Sequence, residues 1–195
     1  MKKMIIDTST QLLIVSFVDD NKVIYGVKQM GNNNHSDNLI NLIEMGLTEV
    51  NLAIKDFDQI IVGIGPGAYT GLRVSLTVAK MFSWTLNIPL YTVSSLDLLA
   101  SGYLNTDGIY AIMMKAKKGH IYGKVLKVKN HELTILEPEA FMEKTSFLNI
   151  IEKYQLTKLV DEEGIFYTGL GLDNRILTKV EDVVFLEPNY LRGEM

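Results

Sequence analysis

The segment Gly65–Arg73 (GPGAYTGLR) carries the residues best placed to do chemistry. It follows Ile60–Ile64, an apolar and largely β-branched run typical of a strand covered on both faces. Pro66 fixes φ and ends the strand, and a helical pattern begins near Leu72 with Thr70 as its predicted N-cap. A glycine-rich turn before a helix N-terminus can cradle a phosphate on backbone N–H groups. The pattern equally fits an ordinary strand–helix turn in an α/β core, since a short glycine motif alone is a weak signal.

Two residues in the first turn of this predicted helix indicate a special environment. Gly71 costs a helix about 1 kcal/mol relative to alanine, which suggests that something packs close to its backbone. Arg73 is a cation at the helix end where the dipole disfavours one, which favours a role at an anion or a partner surface. The helix continues to Asn87 with two apolar stripes, represented by Leu76 and Met81. Such a helix is either deeply buried or partly reserved for a partner.

A second polar cluster follows the first predicted strand, which begins at Met4. Its side chains could satisfy the backbone groups of the turn, which is the interpretation that spacing favours, or could face a phosphate or a magnesium ion. The residues predicted to line a cleft or face a nucleotide are Asp7, Thr8, Thr10, Gly65, Gly67 and Thr70.

Composition excludes several classes of function. The net charge of -4 argues against a protein that binds nucleic acid alone, so any RNA connection is expected to run through another subunit. With no cysteine, thiolate metal sites and cysteine nucleophiles are excluded. The histidines are far apart and form no metal-binding pair, so neither a metal site nor catalytic residues are predicted. A signal peptide and a run of about 18 apolar residues are both lacking, which predicts a cytoplasmic protein.

Periodicity predicts an α/β chain of two lobes. The first lobe, residues 1–104, is expected to contain a three-stranded meander, two long helices and two further strands; the second, smaller lobe, residues 105–195, restarts with strands. The order of elements in the first half resembles a shortened version of itself in the second half, which suggests duplicated lobes around a cleft. The predicted elements are strands at 4–10, 12–18, 23–30, 59–64, 89–93, 109–114, 120–129, 133–136, 156–160, 165–168 and 183–186, and helices at 36–47 (capped by Ser36), 71–87, 96–103 and 145–154.

Five motifs occur in one order along nearly the whole chain: Ile6–Ser9 (IDTS), His35–Ser36, Gly65–Arg73, Val93–Leu96 (VSSL) and Glu187–Arg192 (EPNYLR). Together they resemble the TsaB (YeaZ) family, whose members belong to the bacterial machinery that makes threonylcarbamoyladenosine (t6A) in tRNA. The resemblance is strongest over residues 4–100. It implies an actin-like and Hsp70-like (ASKHA) fold of two ribonuclease-H-like lobes, the second reduced.

The resemblance also implies a function. The chain is expected to be a non-catalytic scaffold that binds TsaD, the subunit that transfers threonylcarbamoyl to N6 of adenosine 37 in tRNAs reading ANN codons. TsaE, an ATPase, belongs to the assembly, and tRNA is expected to be reached through TsaD. The partner face is expected on the helices at 36–47 and 71–87, and isolated relatives form homodimers through the same face. No cofactor is assigned to this chain, and ATP or ADP with magnesium stays open at the level of the complex. The predicted interface residues are His35, Leu39, Ile43, Gly71, Arg73, Leu76 and Met81.

The chain departs from the family pattern in two places. Lys115 and His120 stand where the family usually has acidic residues, which puts any anchoring role of those acids in doubt. The chain is also short for the family, and the shortfall falls in the second lobe.

Two alternatives have a different chemistry. An ATP-binding phosphotransferase of the same fold needs carboxylates for magnesium, and Asp7 has no recognisable second acid. A peptidase of the M22 glycoprotease type, a label given historically to relatives, needs an activated nucleophile or a metal-bound water, and the chain has no Gly-x-Ser-x-Gly motif, cysteine or histidine pair.

Overall fold

The computed structural model describes residues 1–10, 12–30, 35–161 and 164–191, without the side chains of Met30 and residues 35–37. Within that part, the elements in chain order are β1 (Lys2–Asp7), β2 (Leu12–Asp19), β3 (Lys22–Met30), α1 (His35–Val50), β4 (Gln59–Gly63), α2 (Tyr69–Leu86), β5 (Leu90–Val93), α3 (Ser95–Leu99), β6 (Gly108–Lys115), β7 (His120–Lys129), β8 (Glu132–Glu143), α4 (Lys144–Ile151), β9 (Lys158–Val160) and β10 (Thr178–Lys179), with short 3-10 turns at Ile54–Asp56, Ser101–Tyr103 and Gly169–Gly171.

The first sheet has six strands in the order β10-β5-β4-β1-β2-β3. Strand β1 lies inside it, antiparallel to β2 and parallel to β4. Both faces are covered, so successive residues Met4, Ile5 and Ile6 are all fully buried. Met4 and Ile6 share a core cluster with residues of α1 and α2, whereas Ile5 packs on the opposite face with Leu172 from the second half of the chain. The alternation of a strand thus joins two separate cores.

The second sheet has four strands in the order β8-β7-β6-β9. One core cluster joins β6 and β7 to α3, and another joins them to α4. Pairing is antiparallel from β6 through β8 and parallel between β6 and β9. None of the helices in the described ranges is long and apolar enough to cross a membrane.

The local predictions hold for the meander, for the strand that ends in the glycine turn and for both long helices. The N-cap predictions for Thr70 and Ser36 are wrong: α2 begins after Ala68, so Thr70 lies inside it, and Ser36 lies inside α1. The predicted strands at 165–168 and 183–186 do not form, because neither segment pairs with a neighbouring strand. The predicted strand at 133–136 is part of the longer β8.

The remaining differences concern the ends of elements and the lobes. The helix predicted at 96–103 is the short α3 followed by a 3-10 turn, and the helix predicted at 145–154 ends at Ile151. The loop predicted at 31–34 lies outside the described residues. The division after residue 104 stays a prediction; the strand order returns the chain to the first sheet at β10, where Thr178 pairs with Thr92.

Helix α1 lies against the sheet at Gly46. A Cβ atom there would lie 2.5 Å from the ring of Tyr25 and 2.7 Å from that of Phe17. We therefore expect Gly46→Ala to lower the free energy of unfolding by about 1–3 kcal/mol, despite the better helix propensity of alanine. Urea denaturation followed by circular dichroism measures the change. Gly26→Ala is the matched control, because its Cβ would meet nothing closer than 3.5 Å. Equal stability of the two variants would contradict this seating of α1.

Candidate functional site

The first turn of α2 is closed onto the turn between β1 and β2. The N–H of Ala68 donates to the carbonyl oxygen of Ser9 at 2.6 Å, and the Thr8 hydroxyl donates to the carbonyl oxygen of Gly71 at 2.6 Å. The glycines allow this approach: a Cβ on Gly71 would lie 1.9 Å from the Thr8 carbonyl oxygen, and one on Gly67 would lie 2.4 Å from that of Ser9. We call this contact between residues 7–10 and 63–71 the turn–helix joint.

Asp7 is buried beneath the joint, with only 1% of its surface exposed. One carboxylate oxygen accepts a hydrogen bond from the Ser95 hydroxyl at 2.7 Å, and the other accepts one from the Ser9 N–H at 2.6 Å. The Ser95 hydroxyl in turn accepts the N–H of Gly65 at 3.1 Å. Burial raises the pKa of Asp7, and the hydrogen bonds from Ser9 and Ser95 partly oppose that shift. The carboxylate therefore anchors backbone and hydroxyl groups of this chain.

At the joint, backbone N–H groups and hydroxyls that could bind a phosphate already form hydrogen bonds within the chain. Gly63, like Gly71, admits no side chain, because a Cβ there would lie 1.6 Å from the Asp7 carboxylate. Thr10 accepts the N–H of Leu12 at 2.9 Å and so serves its own turn. Within the described ranges, no group of three or more His, Cys, Asp or Glu side chains could hold a metal ion. This geometry supports the interpretation in which the polar cluster satisfies the turn.

The predicted cleft residues are thus only partly brought together. Asp7, Thr8, Gly65 and Gly67 meet at the joint, with Gly65 also packed against the C-terminal part of the chain, where its Cβ would lie 2.6 Å from the Asn189 carbonyl oxygen. Thr70 is exposed on the outer side of α2 and is no part of this cluster.

A groove runs along the outer side of α1 and α2, with a volume of about 800 Å³. Large apolar side chains stand exposed on these two helices: Met81 is 46% exposed and Trp84 is 73% exposed. Ile40, Met45 and Leu86 add to this surface. We call these residues and the groove the α1–α2 face. The groove is lined by Ile40, Asn41, Tyr69, Thr70, Arg73, Val74, Thr77 and Val78.

The predicted interface residues divide between the face and the core beneath it. Arg73 and Met81 are exposed on α2, where a partner can reach them. The prediction is wrong for Leu39, Ile43 and Leu76 as contact residues, because all three are buried against the first sheet in this chain. The other two members lie elsewhere: Gly71 is buried at the turn–helix joint, and His35 begins α1 with its side chain outside the described part.

Arg73 is held by two tyrosines at the mouth of the groove. Its guanidinium lies 4.0 Å from the centre of the Tyr69 ring, and its Nε–H donates to the Tyr190 hydroxyl at 2.9 Å. The two rings stack on each other with centres 5.1 Å apart. The motif Glu187–Arg192 signalled that this region matters, but nothing in the sequence showed that it returns to α2. Arg192 itself lies outside the described residues.

The C-terminal segment 182–191 also fastens the flank of α2 and reaches the second sheet. The Lys80 ammonium donates to the carbonyl oxygens of Val184 and Leu186 at 2.7 and 3.0 Å. The Asn189 N–H donates to the carbonyl oxygen of Ile64 at 2.7 Å, and its side chain donates to Glu139 of β8 at 2.8 Å. The sequence pattern of this segment predicted a strand at 183–186 and gave no sign of these contacts.

A buried ion pair links α3 to β7. Lys124 donates to Asp97 at 2.7 Å, and both side chains are 6% exposed. Burial raises the pKa of Asp97, and the attraction of Lys124 opposes that shift. Nothing in the sequence singled out this pair.

The two residues that stand where the family usually has acids lie on the second sheet. Lys115 is exposed at the end of β6, and His120 stacks on Phe141 with ring centres 4.8 Å apart.

Comparison with known proteins places this geometry in a family. The sequence model of TsaD, tRNA N6-adenosine threonylcarbamoyltransferase, matches residues 28–186. The chain belongs to this family. The resemblance to TsaB (YeaZ) is confirmed by a 30% identity over 148 residues with the tRNA threonylcarbamoyladenosine biosynthesis protein TsaB of Bacillus subtilis, and by 24% over 124 residues with that of Escherichia coli. The first match covers 76% of this chain and 65% of the relative, and the second covers 63% and 53%.

Solved structures confirm the mixed α/β fold with two sheets. YeaZ from Pseudomonas aeruginosa superimposes with a TM-score of 0.66 and 24% identity, covering 72% of this chain and 67% of that one. A protein described as similar to peptidase YEAZ from Pseudomonas aeruginosa superimposes with a TM-score of 0.77 and 19% identity, covering 98% and 99%. The fold is therefore shared over the whole chain, although the sequence match spans about half to two thirds of the curated relatives.

The buried carboxylate predicts a pH dependence of stability. Because folding raises the pKa of Asp7 above its ordinary value of 3.8, the folded state favours the protonated form, and ionisation above that pH destabilises the fold. The free energy of unfolding of Asp7→Asn minus that of the wild type should therefore increase as the pH rises from about 4 towards 7. Urea unfolding at several pH values measures this difference. The exposed Glu49→Gln is the control, and a difference for Asp7→Asn that is flat or falls with pH would contradict the assignment.

Proposed function

We propose that this chain is a non-catalytic subunit that binds TsaD through the α1–α2 face in the cytoplasm. In that role it supports transfer of the threonylcarbamoyl group to N6 of adenosine 37 in tRNAs reading ANN codons. The observation that carries the proposal is the exposed apolar surface of two adjacent helices beside an open groove. Several large apolar side chains exposed on two neighbouring helices favour a partner surface, because exposing them to water is unfavourable.

The α1–α2 face suits a helical partner. Two adjacent helices with a groove beside them can accept the apolar side of an amphipathic helix. The core beneath the face is firm: Leu39, Leu76 and Ala79 are 0–4% exposed and tie both helices to the first sheet. A preformed surface loses little conformational entropy on binding, which favours affinity.

The role in the complex is positioning rather than chemistry. Asp7, the acid among the predicted cleft residues, is buried and hydrogen-bonded within the chain. We assign tRNA binding to TsaD, because a net charge of -4 gives this chain little attraction for phosphates. TsaE joins the same assembly, and ATP or ADP with magnesium enters at the level of the complex. A homodimer of the free chain uses the same α1–α2 face and competes with TsaD.

The turn–helix joint disfavours the alternative of an ATP-binding phosphotransferase. The Ala68 N–H that would meet a phosphate donates to the Ser9 carbonyl oxygen instead. We expect the isolated chain to show no magnesium-dependent ATP binding up to about 1 mM in isothermal titration calorimetry, the upper end of ordinary substrate affinities. Purified TsaE, an ATPase, is the positive control. Micromolar affinity that requires magnesium would favour the phosphotransferase. No observation in the described residues favours the peptidase.

Charges placed on the α1–α2 face should weaken binding to TsaD without unfolding the chain. Ile40 and Met81 are 41% and 46% exposed, and a carboxylate at either position would have to lose its hydration in the complex. We expect Ile40→Glu and Met81→Glu each to raise the Kd for TsaD at least about tenfold, the effect of 1.4 kcal/mol. Ile135→Glu, on β8 and 54% exposed, is the matched control and should bind normally.

The same variants test function in a reconstituted tRNA-modification assay. Formation of t6A by TsaD should depend on this chain and should fall with Met81→Glu but not with Ile135→Glu. If purified TsaD neither binds the wild-type chain nor needs it for activity, the proposed function is wrong. If Ile135→Glu alone disrupts binding, the partner face lies on the second sheet instead.

A further inference from the structure

The groove on the α1–α2 face contains a single charge. Of the residues that line it in the described part of the chain, Arg73 alone is charged, and its neighbours Val74 and Val78 are apolar. The nearby cation on α2, Lys80, is committed to the carbonyl oxygens of Val184 and Leu186. The groove therefore offers a partner apolar side chains, the uncharged polar side chains of Asn41, Thr70 and Thr77, and one cation.

No carboxylate among the described side chains forms an ion pair with Arg73. Its contacts are the Tyr190 hydroxyl, which accepts from Nε at 2.9 Å, and the ring of Tyr69, 4.0 Å from the guanidinium carbon. Neither contact neutralises the charge. A guanidinium group binds a carboxylate by donating two parallel N–H hydrogen bonds to its two oxygens.

The two tyrosines fix where this cation stands. Tyr69 and Tyr190 stack at 28° with ring centres 5.1 Å apart. Tyr190 follows Asn189, which is anchored to the carbonyl oxygen of Ile64 and to Glu139. An arginine side chain loses rotamer entropy on binding, and prior ordering by the C-terminal segment reduces that loss.

We propose that Arg73 determines which partner the α1–α2 face accepts, by pairing with a carboxylate on an amphipathic helix of TsaD whose apolar side chains fill the groove. This inference rests on the proposed function and adds the chemistry of the partner segment. One cation in an apolar groove suits a single carboxylate, whereas a nucleic-acid backbone needs several cations along its phosphates. Tyr190 is a positioning residue that orients Arg73.

The experiment measures binding of the full chain to purified TsaD by isothermal titration calorimetry at several salt concentrations. Arg73→Gln should raise the Kd about tenfold or more and flatten its salt dependence, because the charge pair is lost. Arg73→Lys should bind with intermediate affinity and keep the salt dependence, since it retains the charge without the fork of donors. Lys158→Gln removes an exposed cation on β9 of the second sheet; it is the control and should change the Kd less than about threefold.

Tyr190→Phe separates positioning from charge. It keeps the ring stacked on Tyr69 and removes the hydroxyl that accepts from Arg73. We expect a loss of about two- to fivefold in affinity with the salt dependence retained, the effect of one hydrogen bond. Circular dichroism and urea midpoints of all variants check that the fold is intact.

Several outcomes would overturn the inference. Wild-type binding to TsaD with an unchanged Kd and salt dependence in Arg73→Gln would refute the role of Arg73 and leave the proposed function standing. If Arg73→Gln abolishes self-association alone, the carboxylate belongs to a second copy of this chain. If the effect is seen only with tRNA present, the anion is a phosphate. If the wild-type chain does not bind TsaD at all, the proposed function itself fails.

Discussion

The contact between the first turn of α2 and the turn after β1 sets the geometry on which the rest of this structure depends. The Ala68 N–H donates to the Ser9 carbonyl oxygen, and the Thr8 hydroxyl donates to the Gly71 carbonyl oxygen. These bonds hold the helix so close to the end of the strand that a side chain at Gly67 or Gly71 would clash with the backbone. The position of α2 on the sheet follows from that contact, and the groove beside α1 follows from the position of α2. The turn–helix joint thereby fixes the position of the α1–α2 face.

Residues later in the chain also hold the turn–helix joint in place. Ser95 bonds Asp7 from α3, and Asp97 two residues later pairs with Lys124 of the second sheet. Glu139 of β8 bonds Asn189, which lies on the glycine turn. A buried ion pair is weak support for stability by itself, but removing one partner leaves a charge stranded, which costs about 3–5 kcal/mol. These links therefore favour one arrangement of the two sheets over others.

How much the sequence could predict follows from how local each feature is. The elements from β1 to α2 obey a strand or helix period within themselves, so their existence was predictable. The choice between the two stripes of α2 was not, because Leu76 and Met81 are equally apolar and only the sheet beneath decides which is buried. The segment at 183–186 has the composition of a strand, yet no partner strand lies beside it and Lys80 takes its carbonyl groups. Thr70 was a reasonable N-cap by residue type, but a carbonyl from a distant turn bonds the helix end instead. In each case the deciding contact comes from far along the chain.

The surroundings of Asp7 are those of a structural anchor. A catalytic carboxylate must be open to its ligand, whereas this one is enclosed by Ser9, Ser95 and a glycine that excludes any side chain. Its burial is unfavourable to the charge, and the hydrogen bonds that it accepts from the Ser9 N–H and the Ser95 hydroxyl partly offset that effect. Opening the joint to a phosphate would break the Ala68 bond and shift α2, and with it the groove. The proposed partner surface therefore depends on a closed joint, and in the proposed complex we expect any nucleotide dependence to arise in the other subunits.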